Sequence, residues 1–368
     1  MAGSGVAIPH EIWYNGSAGM QDSLSKTLII RFSSVGDIIL SSPLVRALHR
    51  TFPEMQLDFL VKDDYADLVR YNPHLHQIVP FASNGGLSGL LELRRMIQSQ
   101  RYDLILDIHD SLRSRVVCFG LSRVRRINKR KFARFALVAW KRRWYASLGG
   151  APDVAARYIE TASEFGVRDD GEPPEIFIPD ASISRAQQML EGVNRPALGI
   201  CPSARHATKM WPEERFASAG LAIARTHHLP ILLFGAREDH LRCESIRTRI
   251  TKNDPSIDVR NLAGSTSLLD TAAMMDRCAL VLTNDTGLMH LAVARHRPVI
   301  AIFGSTVREF GFFPRGTQSV VIERQDLACR PCSHIGLSAC PRGHFKCMND
   351  IAPDAVIHAA NQLMQSHA

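Results

Sequence analysis

The chain has 368 residues, 45% hydrophobic and 22% charged, with a formal net charge of +8 and a sequence pI of about 9.2. That length favours two domains, the composition is that of an ordinary globular protein, and the charge points to an acidic partner. No apolar run is long enough to span a bilayer, and the first 25 residues lack the basic start and apolar core of a signal peptide.

Residues 1–25 read as a flexible arm or as an over-extended start upstream of Met20. From residue 26, strand and helix patterns alternate. Leu28–Phe32 is an apolar strand, followed by the small-residue turn Ser33-Ser34-Val35-Gly36-Asp37. Ile38–Phe52 is a helix with Ile39, Leu44 and Leu48 at helical spacing. Leu57–Val61, Ile78–Pro80 and Leu104–Ile108 are further strands, with helices over Asp64–Tyr71 and Gly89–Gln100 between them. A helical stretch over Ala155–Phe165 is placed to cross between domains, and Gly171-Glu172-Pro173-Pro174 reads as a linker. The second series has strands at Ala197–Cys201, Ile231–Phe234, Leu280–Thr283 and Val299–Phe303. Its helices open at Trp211-Pro212 and cover Glu238–Thr251 and Leu268–Asp276. The expected fold is α/β: a first domain over 26–172 and a second over 173–368, each a doubly wound parallel sheet, with ligands beyond the carboxyl ends of the strands. The last helix is expected to pack back on the first domain.

Candidate chemistry lies in those strand-end turns. Asp37 follows Gly36 at the mouth of the first strand. It is either a helix-start residue that satisfies free N–H groups or a general base within reach of an acceptor hydroxyl. Ser34 and Gly36 share its loop. The turn lacks both Gly-x-Gly-x-x-Gly and Gly-Lys-Ser/Thr, which argues against a dinucleotide site or a P-loop. Asn284-Asp285-Thr286-Gly287, with His290 one turn later, is a second cradle. Its N–H groups and the Thr286 hydroxyl suit a diphosphate, with Asp285 facing a sugar or ribose hydroxyl; the plainer reading is a helix cap with His290 in the core. Lys209 precedes the Trp211-Pro212 helix, where a cation opposes the helix dipole, so it points to a bound anion, with Ser203 adding a hydrogen bond. Glu238 and Asp239 open a helix after Gly235 and are candidates for ribose hydroxyls.

Residues 111–150 hold twelve Lys or Arg and no Asp or Glu, interleaved with Phe132, Phe135, Trp140 and Trp144. Such a run fits an anionic membrane surface, an acidic glycolipid or nucleic acid. Its Arg113, Arg125, Arg126, Lys129 and Arg130, with His109 just before it, are acceptor-contact candidates. Near the end, Cys329, Cys332, Cys340 and Cys347 surround His334 and His344. The spacing departs from a zinc ribbon, so free thiols are expected ahead of structural zinc.

Taken together, Ser34-Val35-Gly36-Asp37, Lys209 before Trp211-Pro212, Asn284 to His290 and the late Cys-Pro-x-Gly-His-x-x-Cys resemble glycosyltransferase family 9 over about residues 26–360. The resemblance implies the GT-B fold of two facing Rossmann-like domains, the acceptor on the first and the nucleotide sugar on the second. It implies inverting transfer without a metal cofactor, from ADP-heptose to a lipopolysaccharide inner core (lipid A–Kdo or core heptose). By position Asp37 matches the base and Lys209 the diphosphate contact. Asp285, Thr286, Gly287 and His290 match the donor loop, and Glu238 and Thr266 fall near nucleotide-contacting positions. One departure is that Ser203 is followed by Ala204 and Arg205 where the family often has adjacent hydroxyl residues. A cytoplasmic enzyme, peripheral at the inner membrane and without nucleic-acid partners, is implied. Two other readings are a family member using another nucleotide sugar on another acidic glycan, and a basic nucleic-acid-binding protein with a Cys-rich zinc module. The last leaves Asp37, Lys209 and the Asp-Thr-Gly loop unexplained.

Overall fold

The computed structural model describes residues 24–82, 85–141, 153–316 and 318–365. The expected arm, Arg142, Arg143 and Trp144 therefore lie outside the described residues, apart from Leu24 and Ser25.

The first half runs β1 (Lys26–Ile30), α1 (Val35–Ile39), α2 (Ser42–Thr51), β2 (Gln56–Lys62), α3 (Asp67–Arg70), β3 (Gln77–Phe81), α4 (Gly86–Ser99), β4 (Leu104–Asp107), α5 (Leu112–Val117), β5 (Val124–Arg126), α6 (Lys131–Trp140) and α7 (Val154–Glu160). Irregular chain over 167–179 leads to α8 (Asp180–Met189), β6 (Ala197–Cys201), α9 (Glu213–His227), β7 (Ile231–Leu233), α10 (His240–Asn253) and β8 (Val259–Asn261). Then follow α11 (Leu268–Met275), β9 (Cys278–Asn284), α12 (Gly287–Ala294), β10 (Val299–Phe303), β11 (Ser319–Glu323), α13 (Lys346–Asn349) and α14 (Pro353–Gln365).

The strands form two sheets, β3-β2-β1-β4-β5 and β11-β10-β9-β6-β7-β8, and every pairing is parallel. Helices cover both faces, which is why β1, β6 and β10 are near-continuous apolar runs. Strand order reverses between β1 and β4 in the first sheet and between β6 and β9 in the second. Loops at such a switch point diverge to opposite faces and leave a crevice. Ile30 pairs with Asp107 and Cys201 with Thr283, so the Asp37 loop lies beside His109 and the Ser203 loop beside Asp285.

Two local expectations are corrected. The single helix expected over Ile38–Phe52 is broken at Leu40–Ser41 into α1 and α2. Pro43 has no N–H to continue the ladder to the Ile39 carbonyl, and the Ser41 and Ser42 hydroxyls donate instead to the carbonyls of Ile38 and Ile39, at 2.6 and 2.8 Å. The last helix, α14, packs on α9 and on its own sheet rather than on the first domain. Its Val356, Ala359 and Ala360 are buried in the core around Trp211 and Phe216.

The linker is held by arginines from both halves. Arg46 on α2 bonds Asp170 at 2.8 Å and Glu175 at 3.2 Å, and Arg295 after α12 donates to the Ile176 carbonyl at 2.9 Å. Trp211 is fully buried, and its indole N–H donates to the Ile351 carbonyl at 3.1 Å, joining α9 to the chain before α14. Trp211→Ala removes both the packing and the bond. It is expected to cost about 3–5 kcal/mol in urea unfolding followed by circular dichroism, and a loss under about 1 kcal/mol would contradict this packing account.

Candidate active site

β1 delivers its loop to the cleft. Arg31 is buried, with one guanidinium nitrogen donating to the Ile108 carbonyl at 2.8 Å and another 2.7 Å from Asp37 Oδ2. Ser34 Oγ also donates to Oδ2, at 2.9 Å, and the Tyr158 hydroxyl donates to Oδ1 at 3.2 Å. Asp37 is the third residue of α1, so the cap reading and the base reading share one side chain. Its side chain is 19% exposed, enough to meet a hydroxyl from the cleft. Burial alone would raise its pKa; the Arg31 charge and the bonds from Ser34 and Tyr158 outweigh it and hold the carboxyl below its usual range.

β4 and β5 supply the flank. Burial, with the Arg31 and Lys129 charges, lowers His109 to about 3, and its Nδ1 is a buried atom without a protein partner. Lys129 Nζ donates to the Asp110 carbonyl at 3.0 Å, and burial with the Arg31 charge brings it down to about 8. A neutral imidazole near Asp37 and a half-buried ammonium near Arg31 thus line this flank.

The second cradle lies at the other switch point. Thr286 precedes α12 in extended backbone and no side chain caps the helix, leaving its first N–H groups to an anion. Lys209 Nζ lies 2.7 Å from Asp285 Oδ2, and Thr306 Oγ1 donates to the same oxygen at 2.6 Å. Lys209 is thus already paired with the carboxylate that was expected to face a sugar. An ammonium has three N–H donors, so a diphosphate can share it. Ser203 Oγ and Ser305 Oγ are buried without protein partners.

The two cradles meet directly, α1 on α12. A Cβ on Gly36 would stand 2.7 Å from His290 Cδ2, and one on Gly287 would stand 3.0 Å from Val35 Cβ. His290 is buried, and burial lowers it to about 4 despite Asp285 and Asp37 nearby.

The other candidates are less central. Glu238 is exposed at the start of α10, and Thr266 bonds the Thr271 hydroxyl at 2.8 Å. Arg113 is exposed on α5, Arg125 is paired with Glu164, and Arg126 lies 3.5 Å from Asp107. Arg130 precedes α6 in left-handed backbone. Cys329, Cys332, Cys340 and Cys347 are free thiols, with Cys329 Sγ 3.9 Å from His344 Nε2. Among the described residues no three His, Cys, Asp or Glu side chains group as metal ligands. Sequence reasoning missed Arg31, Tyr158 and Thr306. Only an Arg within an otherwise apolar strand end hinted at the first.

A carboxylate-bearing loop facing an uncapped helix start across two parallel α/β domains is the layout of a glycosyltransferase of the GT-B class. The profile of glycosyltransferase family 9 (heptosyltransferase) matches residues 90–340, and the chain belongs to that family. It is 28% identical over 354 residues to lipooligosaccharide heptosyltransferase 2 of Haemophilus ducreyi, covering 92% of this chain and 99% of that one. Among solved structures, the Escherichia coli ADP-heptose LPS heptosyltransferase II superposes with a TM-score of 0.69 at 25% identity, covering 93% of this chain and 100% of that one. A family 9 glycosyltransferase from Veillonella parvula gives a TM-score of 0.76 at 20% identity, covering 93% of this chain and 98% of that one. The fold is the GT-B fold of these enzymes.

The buried histidines set a pH dependence. In the unfolded chain they titrate near 6.5, whereas folded His290 and His109 titrate near 4 and 3. Across that window the unfolded chain binds more protons, so stability falls as pH drops, by at most about 1.4 kcal/mol per unit for each histidine. Melting temperature is expected to decline below pH 6.5, and His290→Gln and His109→Gln to flatten the decline. A slope unchanged in both variants would mean that neither histidine is held neutral by the fold.

Proposed function

We propose that the chain transfers a heptose from ADP-heptose to a hydroxyl of the lipopolysaccharide inner core, with inversion at the anomeric carbon. The observation that carries this reading is the contact of Gly36 with His290, which brings the Asp37 loop against the Asp285-Thr286-Gly287 cradle. Residues 26–172 hold the acceptor and 173–368 the nucleotide sugar. The acceptor oxygen attacks the anomeric carbon while Asp37 takes its proton. The bond from that carbon to the diphosphate oxygen breaks, and its electron pair leaves with ADP. Lys209, the first N–H groups of α12 and the Ser203 hydroxyl receive the charge that develops on the diphosphate. In this reading they supply what a divalent cation supplies in other sugar transferases. Glu238 and Thr266 flank the nucleoside end, and the basic residues of α5, β5 and α6 face the acidic acceptor.

Asp37→Asn is expected to lower transfer to a lipid A–Kdo acceptor by about 10²–10⁴-fold while ADP still stabilises the protein in scanning fluorimetry. Wild type is expected to respond selectively to ADP and ADP-heptose, with and without EDTA. Selective response to UDP or GDP species would replace the donor, and no response to any nucleotide would overturn the reading.

Peripheral contact with an anionic inner-membrane surface from the cytoplasmic side is part of the proposal. No helix among the described residues is long and apolar enough to cross a membrane. On α6 the rings of Phe132, Phe135 and Trp140 are more than half exposed, next to Arg130, Lys131 and Lys141. Aromatic side chains beside cations suit a headgroup layer. The double variant Phe132→Ser/Phe135→Ser is expected to sediment several-fold less with anionic vesicles than wild type and equally little with neutral ones. Equal sedimentation of variant and wild type on anionic vesicles would remove α6 from the contact.

A further inference from the structure

The two oxygens of Asp37 are not equivalent. Oδ2 is taken by Arg31 at 2.7 Å and Ser34 Oγ at 2.9 Å. Oδ1 accepts from Tyr158 at 3.2 Å, which leaves it a lone pair directed elsewhere. Tyr158 is fully buried, the Arg31 guanidinium lies 5.6 Å from its ring centroid, and burial pushes its phenol up, so it remains a donor at every working pH.

The helix that carries this tyrosine is fastened to the other domain. Arg157 on α7 donates to the Phe310 carbonyl at 2.6 Å, and the Val154 N–H donates to the Gly311 carbonyl at 2.9 Å. Arg315 holds Asp153, just before α7, at 3.1 Å. The segment that receives these bonds begins beside Thr306, whose hydroxyl binds Asp285 in the donor cradle. A continuous run of contacts therefore leads from the cradle through 306–311 and α7 to the base.

We propose that Tyr158 is a positioning residue that presents Oδ1 of Asp37 as the proton-accepting oxygen, and that its hold depends on the docking of α7 against the 306–311 segment of the donor domain. The proposal rests on the reading of Asp37 as the base. Without Tyr158 the carboxylate keeps its anchor at Oδ2 but is free to turn about it. The base is then aligned only when the donor half is seated, so an open cleft does not commit the acceptor hydroxyl.

The charged and titratable groups facing Asp37 are Arg31 at the end of β1, Tyr158 on α7, His109 after β4 and His290 on α12. The two histidines titrate near 3 and 4 in wild type and in the variants alike, so a displacement of the acid limb between wild type and Tyr158→Phe reports the carboxylate.

The test is the pH dependence of kcat from pH 3 to 8 for wild type, Tyr158→Phe, Arg157→Met and the double variant, with donor KM measured alongside. Losing a hydrogen bond to a charged group corresponds to about a tenfold loss or more. Tyr158→Phe is expected to lower kcat about tenfold, leave donor KM within about twofold, and raise the acid limb by about one pH unit. Arg157→Met is expected to move the limb the same way, and the double variant to be no slower than Tyr158→Phe. An unmoved limb with kcat within about twofold in Tyr158→Phe overturns the positioning role. Single effects that multiply in the double variant overturn the coupling to the donor domain. If Tyr158→Phe does not fold by circular dichroism, the limb of Arg157→Met decides alone. Asp37→Asn separates the two readings: retained transfer sinks the base itself, while lost transfer with an unmoved Tyr158→Phe limb sinks only this proposal.

Discussion

Two glycines set the distance on which the rest of the site depends. Gly36 and Gly287 lie on opposite domains; a Cβ on the first would stand 2.7 Å from His290 Cδ2 and one on the second 3.0 Å from Val35 Cβ. Their backbone φ values are ordinary, so the requirement is space rather than conformation. With hydrogen at both positions, α1 lies on α12 and the ends of two sheets come together. A larger residue at Gly36 would press on the His290 ring, and one at Gly287 would need Val35 to give by a few tenths of an ångström.

Around that contact the charges are arranged as pairs before any substrate arrives. Arg31 faces Asp37, and Lys209 faces Asp285. Neither the carboxylate nor the ammonium is left alone in a low-dielectric cleft, where an isolated charge would be costly. The pairing also keeps Asp37 anionic in a site whose burial would otherwise raise its pKa. Tyr158 and the two buried histidines contribute polar atoms without adding charge at neutral pH.

Much of this was legible in the chain. Strands such as Ala197–Cys201 and Val299–Phe303 announce themselves as short apolar runs with turn residues behind them, and strand-end loops are where parallel sheets bind ligands, so Asp37, Lys209 and Asp285 stood out. β5 did not, because three residues ending in two arginines read as part of a basic run. Tyr158 did not either. It occupies an apolar position on a short helix and reaches a partner 121 residues away, which no local pattern encodes. The Lys209–Asp285 pair was hidden for the same reason, since each residue looked like a ligand contact in its own loop. The break between α1 and α2 was written in Ser41, Ser42 and Pro43, but a periodicity spanning the break concealed it.

The arginine fastenings along the linker carry a mechanical meaning. Arg315 belongs to the second half, yet it holds Asp153, Asp169 and the Glu172 carbonyl, while Arg46 of the first half holds Asp170. The connection between the domains is therefore pinned along its length from both sides. Any opening at this edge would have to break those ion pairs.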